Sequence, residues 1–108
     1  MTDRELLEAA AKAAKIGGGW DWPRGAKHPM FWRDGSGKAW QPLDDDGDAL
    51  RLAVKLKIAV DAWGAGACAV VFLRGGLGQI AEPHYGDDPQ RATRRAIVRA
   101  AAELGRNT

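Results

Sequence analysis

A chain of 108 residues has room for one domain and one modest core, and its 45% apolar and 28% charged content is ordinary for a globular protein. The net charge of +2 is too small to demand a nucleic acid or a membrane surface as partner. The single cysteine, Cys68, excludes a disulfide within the chain, no run approaches the ~20 apolar residues of a bilayer span, and charges from Asp3 onward give no reason to expect a signal peptide. A cytoplasmic protein is the expectation. Five tryptophans and fourteen glycines are the unusual features.

Thr2-Asp3-Arg4-Glu5 has the form of a capping box, with Thr2 as N-cap and Glu5 three residues on. A helix is predicted from there to about Lys15, with Leu6, Ala10, Ala13 and Ile16 as its apolar seam and Gly17 as the residue after its end. Residues 17–43 follow neither a period of 2 nor one of 3.6. Glycines and prolines punctuate them, and Trp20, Trp22, Trp32 and Trp40 argue for order, since each would bury ~150–250 Å² if packed. We expect an ordered, Trp/Gly-rich irregular segment with short extended pieces at Trp20–Trp22 and Pro29–Arg33.

Asp44, Asp45, Asp46 and Asp48 then crowd a helix N-terminus, where carboxylates accept hydrogen bonds from unpaired backbone N–H groups and oppose the positive end of the dipole. The helix is predicted from about Ala49 to Lys57. Its apolar arc, which includes Leu50, Leu52, Val54 and Leu56, is about twice the ~100° stripe of a surface helix, so it should be mostly buried, with Arg51 and Lys55 facing water. The aspartates could also suggest a cation. Their spacing does not fit the calcium-loop pattern, because a loop glycine at Gly47 would put Pro42 first and Ala53 last.

Strands are predicted at Ile58–Trp63, Ala67–Leu73 and Gln79–Tyr85. The second is apolar at every position, the pattern of a central strand covered on both faces. Pro83 confines the third to an edge. Asp88-Pro89 then starts a last helix running to about Leu104, with Gly105 just beyond it and Thr93, Ala96, Ile97, Ala100 and Leu104 as its buried stripe. The predicted fold is a single α+β domain over residues 1–108: an N-terminal helix (1–16), the irregular segment (17–43), then helix, three strands and helix (44–108). About three helices surround a small antiparallel sheet of three to four strands in a three-layer α/β/α-type sandwich.

For function, the arginines of the last helix stand out. Arg91, Arg94 and Arg95 sit near its N-terminus, where cations oppose the dipole and repel one another at i, i+4. An anionic ligand or partner would relieve them, and the planar guanidinium fork suits that work. The plainer alternative is a solvated face with local pairs such as Arg99 with Glu103. Trp20, Trp22 and Trp32 are the candidates for a stacking or hydrophobic wall, with core packing as the alternative. His28, His84 and Cys68 have no spacing that suggests a nucleophile or a metal site, and no Gly-rich phosphate loop is complete. No enzyme activity, cofactor or metal is expected.

Trp40–Leu56 (WQPLDDDGDALRLAVKL) and Gly86–Arg106 (GDDPQRATRRAIVRAAAELGR), with the opening RELLEAAAKAA, resemble small proteins of tailed bacteriophages and prophages grouped as the phage ABA sandwich domain. The likeness covers both ends and the middle of the chain. It implies a phage or prophage origin, an infected or lysogenic bacterial host, and α/β/α layering, and it supplies no catalytic residue. The order helix, three strands, helix is also similar to that of double-stranded-RNA-binding domains, with Arg91, Arg94 and Arg95 where those domains have a lysine-rich helix start. That likeness is one of topology. The leading expectation is a non-catalytic accessory protein that sequesters or blocks an anionic partner, either a nucleotide-like small ligand or an acidic host protein, as an antagonist of host defence. An RNA- or DNA-binding module is the alternative, and a nucleic acid is the weaker expectation as partner. A structural, homo-oligomerising phage protein is the third reading.

Overall fold

A computed structural model describes residues 2–21, 24, 31–63, 66–73, 76–83 and 88–106. The fold class is α+β, as the sequence predicts. In chain order the elements are α1 (Asp3–Ala14), β1 (Gly19–Asp21), β2 (Phe31–Arg33), β3 (Ala39–Trp40), α2 (Asp46–Leu56), β4 (Ala59–Trp63), β5 (Gly66–Leu73), β6 (Gly76–Pro83) and α3 (Pro89–Arg106). No helix among the described residues is long and apolar enough to cross a membrane.

Side chains set the helix starts. Thr2 Oγ1 accepts from the Glu5 N–H at 3.2 Å, the first bond of a capping box, and its hydroxyl donates to the Glu5 carboxylate. Asp45 accepts from the Asp48 N–H at 2.8 Å, so α2 begins three residues before the predicted Ala49. Asp88 caps α3 through the Arg91 N–H at 2.9 Å, with Pro89 as first helical residue. The ends of α1 and α2 fall where predicted, but the residue that takes the left-handed turn after α1 is not the expected Gly17. Lys15 ends α1 and Lys57 ends α2, both left-handed at φ 56°. Each lysine N–H bonds back into the last turn, a geometry that glycine enters without steric cost. Gly17 therefore lies beyond the α1 cap.

The irregular segment contains a small antiparallel sheet in the order β1-β2-β3. The two predicted extended pieces supply β1 and β2. Ala39–Trp40 adds a third strand that a two-residue run could not announce. The register sets Trp20 opposite Trp32 and Trp32 opposite Trp40. Gly18, at φ 106°, holds this sheet against the end of α1. A Cβ there would lie 1.9 Å from the Arg33 carbonyl oxygen.

The second sheet runs β4-β5-β6, antiparallel throughout, with β5 in the middle as its unbroken apolar run requires. β6 occupies an edge, as expected, and spans Gly76–Pro83 in place of the predicted Gln79–Tyr85. Helix α3 packs on this sheet and also contacts α1 and α2. Ala92, Ala96, Ile97, Val98, Ala100, Ala101, Ala102 and Gly105 are all buried, so α3 is enclosed on nearly every side. Thr93 and Leu104, predicted as its stripe, are only half-buried. Gly105 is not beyond the helix but inside it: a Cβ there would sit 2.0 Å from the Ala9 carbonyl oxygen of α1. Alanine and glycine let the two backbones approach closely, and Leu6, Ala10, Ala11 and Ala14 form the α1 side of that contact. Ala13, predicted in this seam, is half-buried.

Helix α2 departs most from expectation. Ala49, Leu52 and Ala53 are buried, but Leu50 is 63% exposed and Val54 70% exposed. The wide apolar arc is real. Only about half of it finds a neighbour.

Candidate functional site

The arginines of α3 do not converge on one site. Arg94 donates from Nε to the Leu43 carbonyl at 2.9 Å and from Nη1 to Asp46 at 2.6 Å, tying α3 to the start of α2. Arg95 donates to Asp3 of α1 at 2.9 Å and lies 3.5 Å from Glu82 of β6. Arg99 pairs with Glu82 and donates to the Ala81 carbonyl at 3.2 Å, in place of the local pair with Glu103. Glu103 pairs with Arg106 instead, at 2.9 Å. Glu82 is the one charged side chain among the described residues that is buried, and two guanidiniums neutralise it. Arg91 is exposed, and its guanidinium meets no partner among the described residues.

Trp20 and Trp32 meet edge to face, with centroids 5.5 Å apart and rings at 79°. Trp20 Nε1 donates to Glu8 at 2.7 Å, and the Arg4 guanidinium lies 5.0 Å from the centre of its ring. Trp32 Nε1 donates to the Gly17 carbonyl at 3.3 Å. These rings fasten the first sheet to α1, which leaves them little free face for a ligand. Trp22, the third member of the expected wall, lies outside the described residues, as do His28 and His84.

A different cluster is better placed to bind. A cleft of about 460 Å³ opens between the end of α1, the β2–β3 hairpin and α2. Trp40 and Leu52 form its apolar wall, and Lys38, Arg51 and Lys55 surround it. Arg51 and Lys55 project together because they are four residues apart on α2. Lys38 is placed by a tight hairpin turn in which Asp34 accepts from the Ser36 N–H at 2.9 Å, the Ser36 hydroxyl at 2.6 Å and the Lys38 N–H at 3.0 Å.

The two carboxylates of the cleft serve the fold. The Ser36 hydroxyl, the two backbone donors and the nearby Lys38 charge hold the Asp34 carboxyl below the usual range. Its contribution to the turn is complete above the ordinary carboxylate range and is lost as pH falls through the lowered value. Asp48 accepts from the Gln41 N–H at 2.9 Å and from Arg51 at 2.6 Å, and this bond raises the Arg51 pKa further. Among the described residues, neither the Lys38 nor the Lys55 ammonium forms an ion pair. Two cations beside an indole wall can receive an anionic group on a planar or apolar body.

The sequence carried one signal for this cleft: Arg51 and Lys55 are the two basic residues on a helix that is otherwise apolar after Asp48. It gave no means of bringing Lys38 and Trp40 to them, because that depends on the pairing of β2 with β3. Among the described residues no group of three His, Cys, Asp or Glu side chains is placed to hold a metal ion. No family model matches the chain, and neither a curated protein nor a solved structure matches it.

Proposed function

We propose that the chain is a non-catalytic binding protein that captures a small anionic ligand in the cleft between α1, the β2–β3 hairpin and α2. The observation that carries this reading is the pairing pattern of the cleft. Asp34 and Asp48 are spent on backbone N–H groups and Arg51, while among the described residues neither Lys38, whose charge is felt by Asp34, nor Lys55 is held in an ion pair beside Trp40. The volume of about 460 Å³ falls in the range of small-molecule sites. A nucleotide-like anion fits this chemistry, with phosphate at the cations and its ring at the mouth of the cleft, since Trp40 itself is only 7% exposed. The reading keeps the anionic ligand expected from the sequence and moves it from Arg91, Arg94 and Arg95 to Lys38, Arg51 and Lys55. A role against host defence in a phage-infected cell rests on the resemblance of Trp40–Leu56 and Gly86–Arg106 alone.

Native mass spectrometry of the protein purified from bacteria tests it. The expected result is an added mass of a few hundred daltons that is absent from a Lys38→Glu/Lys55→Glu variant. Equal added mass in both proteins, or none in either, rejects the cleft. The reading as a double-stranded-RNA binder rests on the order α2-β4-β5-β6-α3. Arg94 and Arg95, which would have to meet phosphates, are held in ion pairs within the fold.

A further inference from the structure

The exposed face of α2 lies away from the cleft and has no role in the reading above. At 100° per residue, Asp46, Leu50 and Val54 fall in one stripe along the outer side of the helix, and Lys57, the left-handed cap residue, follows just past its end. Leu50 and Val54 are the two most exposed large apolar side chains among the described residues, at 63% and 70%. Leu50 also borders an apolar groove of about 470 Å³ floored by Ala49, Val60 and Ile97, and Val60 is itself 40% exposed. A contiguous apolar surface of this kind on a small domain marks an interaction site.

The order of residues along the stripe identifies the occupant. It begins with an acid, continues with two apolar residues and ends with a base. Asp46 gives one carboxylate oxygen to Arg94 yet stays 69% exposed. Lys57 is exposed and forms no ion pair among the described residues. If a second copy of α2 packs antiparallel about a twofold axis opposite Leu52, Leu50 of each copy faces Val54 of the other. The same operation brings Asp46 within one residue, about 1.5 Å along the axis, of the position facing Lys57. Both ends then carry opposite charges, and the two helix dipoles lie antiparallel, the start of each beside the end of the other. The stripe is its own complement, which a twofold contact requires and a contact with an unrelated partner does not.

We infer that the outer face of α2 is a homodimer interface, formed by antiparallel packing of α2 against α2 of a second copy, with the second copy's Val54 entering the groove beside Leu50. One helix and a shallow groove make a small interface, so the dimer is a weak one that forms with rising concentration.

Sedimentation over a wide range of concentration tests this directly. The expected mass rises from 11.6 kDa toward twice that value. Val54→Glu should weaken association by about tenfold or more, and because Val54 is solvent-exposed the monomer should keep its circular dichroism. The geometry has its own readout. In a Cys68→Ala background, a mixture of Leu50→Cys and Val54→Cys proteins should oxidise to the mixed disulfide faster than either protein does alone. A monomer at every concentration overturns the proposal, as does a dimer indifferent to Val54→Glu or a preference for like-with-like disulfides. A monomer that instead takes up an added amphipathic peptide at this face assigns the stripe to a different partner and also overturns it. None of these results depends on Lys38 or Lys55, so the cleft can fail or succeed separately.

Discussion

Helices α2 and α3 invert the roles their sequences suggest. α2 carries leucines and valines on a wide arc and presents two of them to solvent. α3 is built from alanines and arginines and is enclosed by the second sheet, α1 and α2. The difference is one of reach. An alanine face lets neighbouring backbones come close on several sides at once, so a helix with little apolar area of its own becomes the centre of the domain. Its long arginines extend past those neighbours to carboxylates on three other elements, Asp46, Asp3 and Glu82. The bulky side chains of α2 need a surface to cover them, and the chain supplies one for Leu52 and, in part, for Leu56.

Substitutions can break this contrast. The largest effect is expected at Gly105→Ala, where the new methyl meets the Ala9 carbonyl and α1 must move away from α3. A loss of about 3 kcal/mol or more in urea unfolding is the expected result, and a loss near zero would show that the helices are not in close contact. Within α2, Leu52→Ala should cost about 2–4 kcal/mol, because that side chain is buried among the helices. Glu82→Gln should cost about 1–2 kcal/mol. Removing the buried carboxylate takes the carboxylate partner from Arg99, while Arg95 keeps Asp3, and both guanidiniums are partly solvated, which lowers the cost. Leu50→Ala should lie within about 0.5 kcal/mol of zero when measured dilute enough to keep the chain monomeric. Equal costs at Leu50 and Leu52 would erase the distinction between the two faces of α2.

The features that were legible in the sequence were local. Thr2, the aspartates before α2 and Asp88-Pro89 announce helix starts because capping involves residues within one turn. The central position of β5 follows from apolar residues on both of its faces. The features that were not legible depend on distant residues meeting. Ala39–Trp40 is a strand only because Trp32 lies beside it. Gly105 looks like a helix end until Ala9 is placed against it. Leu50 and Leu52 are the same residue type two positions apart, and only the packing of α2 on α3 separates them. The cleft was illegible for the same reason: Lys38 and Lys55 come from elements that share no sequence pattern.

Helix α3 also follows every other described element in the chain. During synthesis it is the last of them to emerge, yet α1 and the second sheet both pack against it. The Asp3–Arg95 pair joins residues 92 apart, so the earliest segment must wait for one of the latest. The nascent chain cannot settle piece by piece, and its completion should be abrupt, with a long interval in which α1 and the sheet are open to chaperones and proteases.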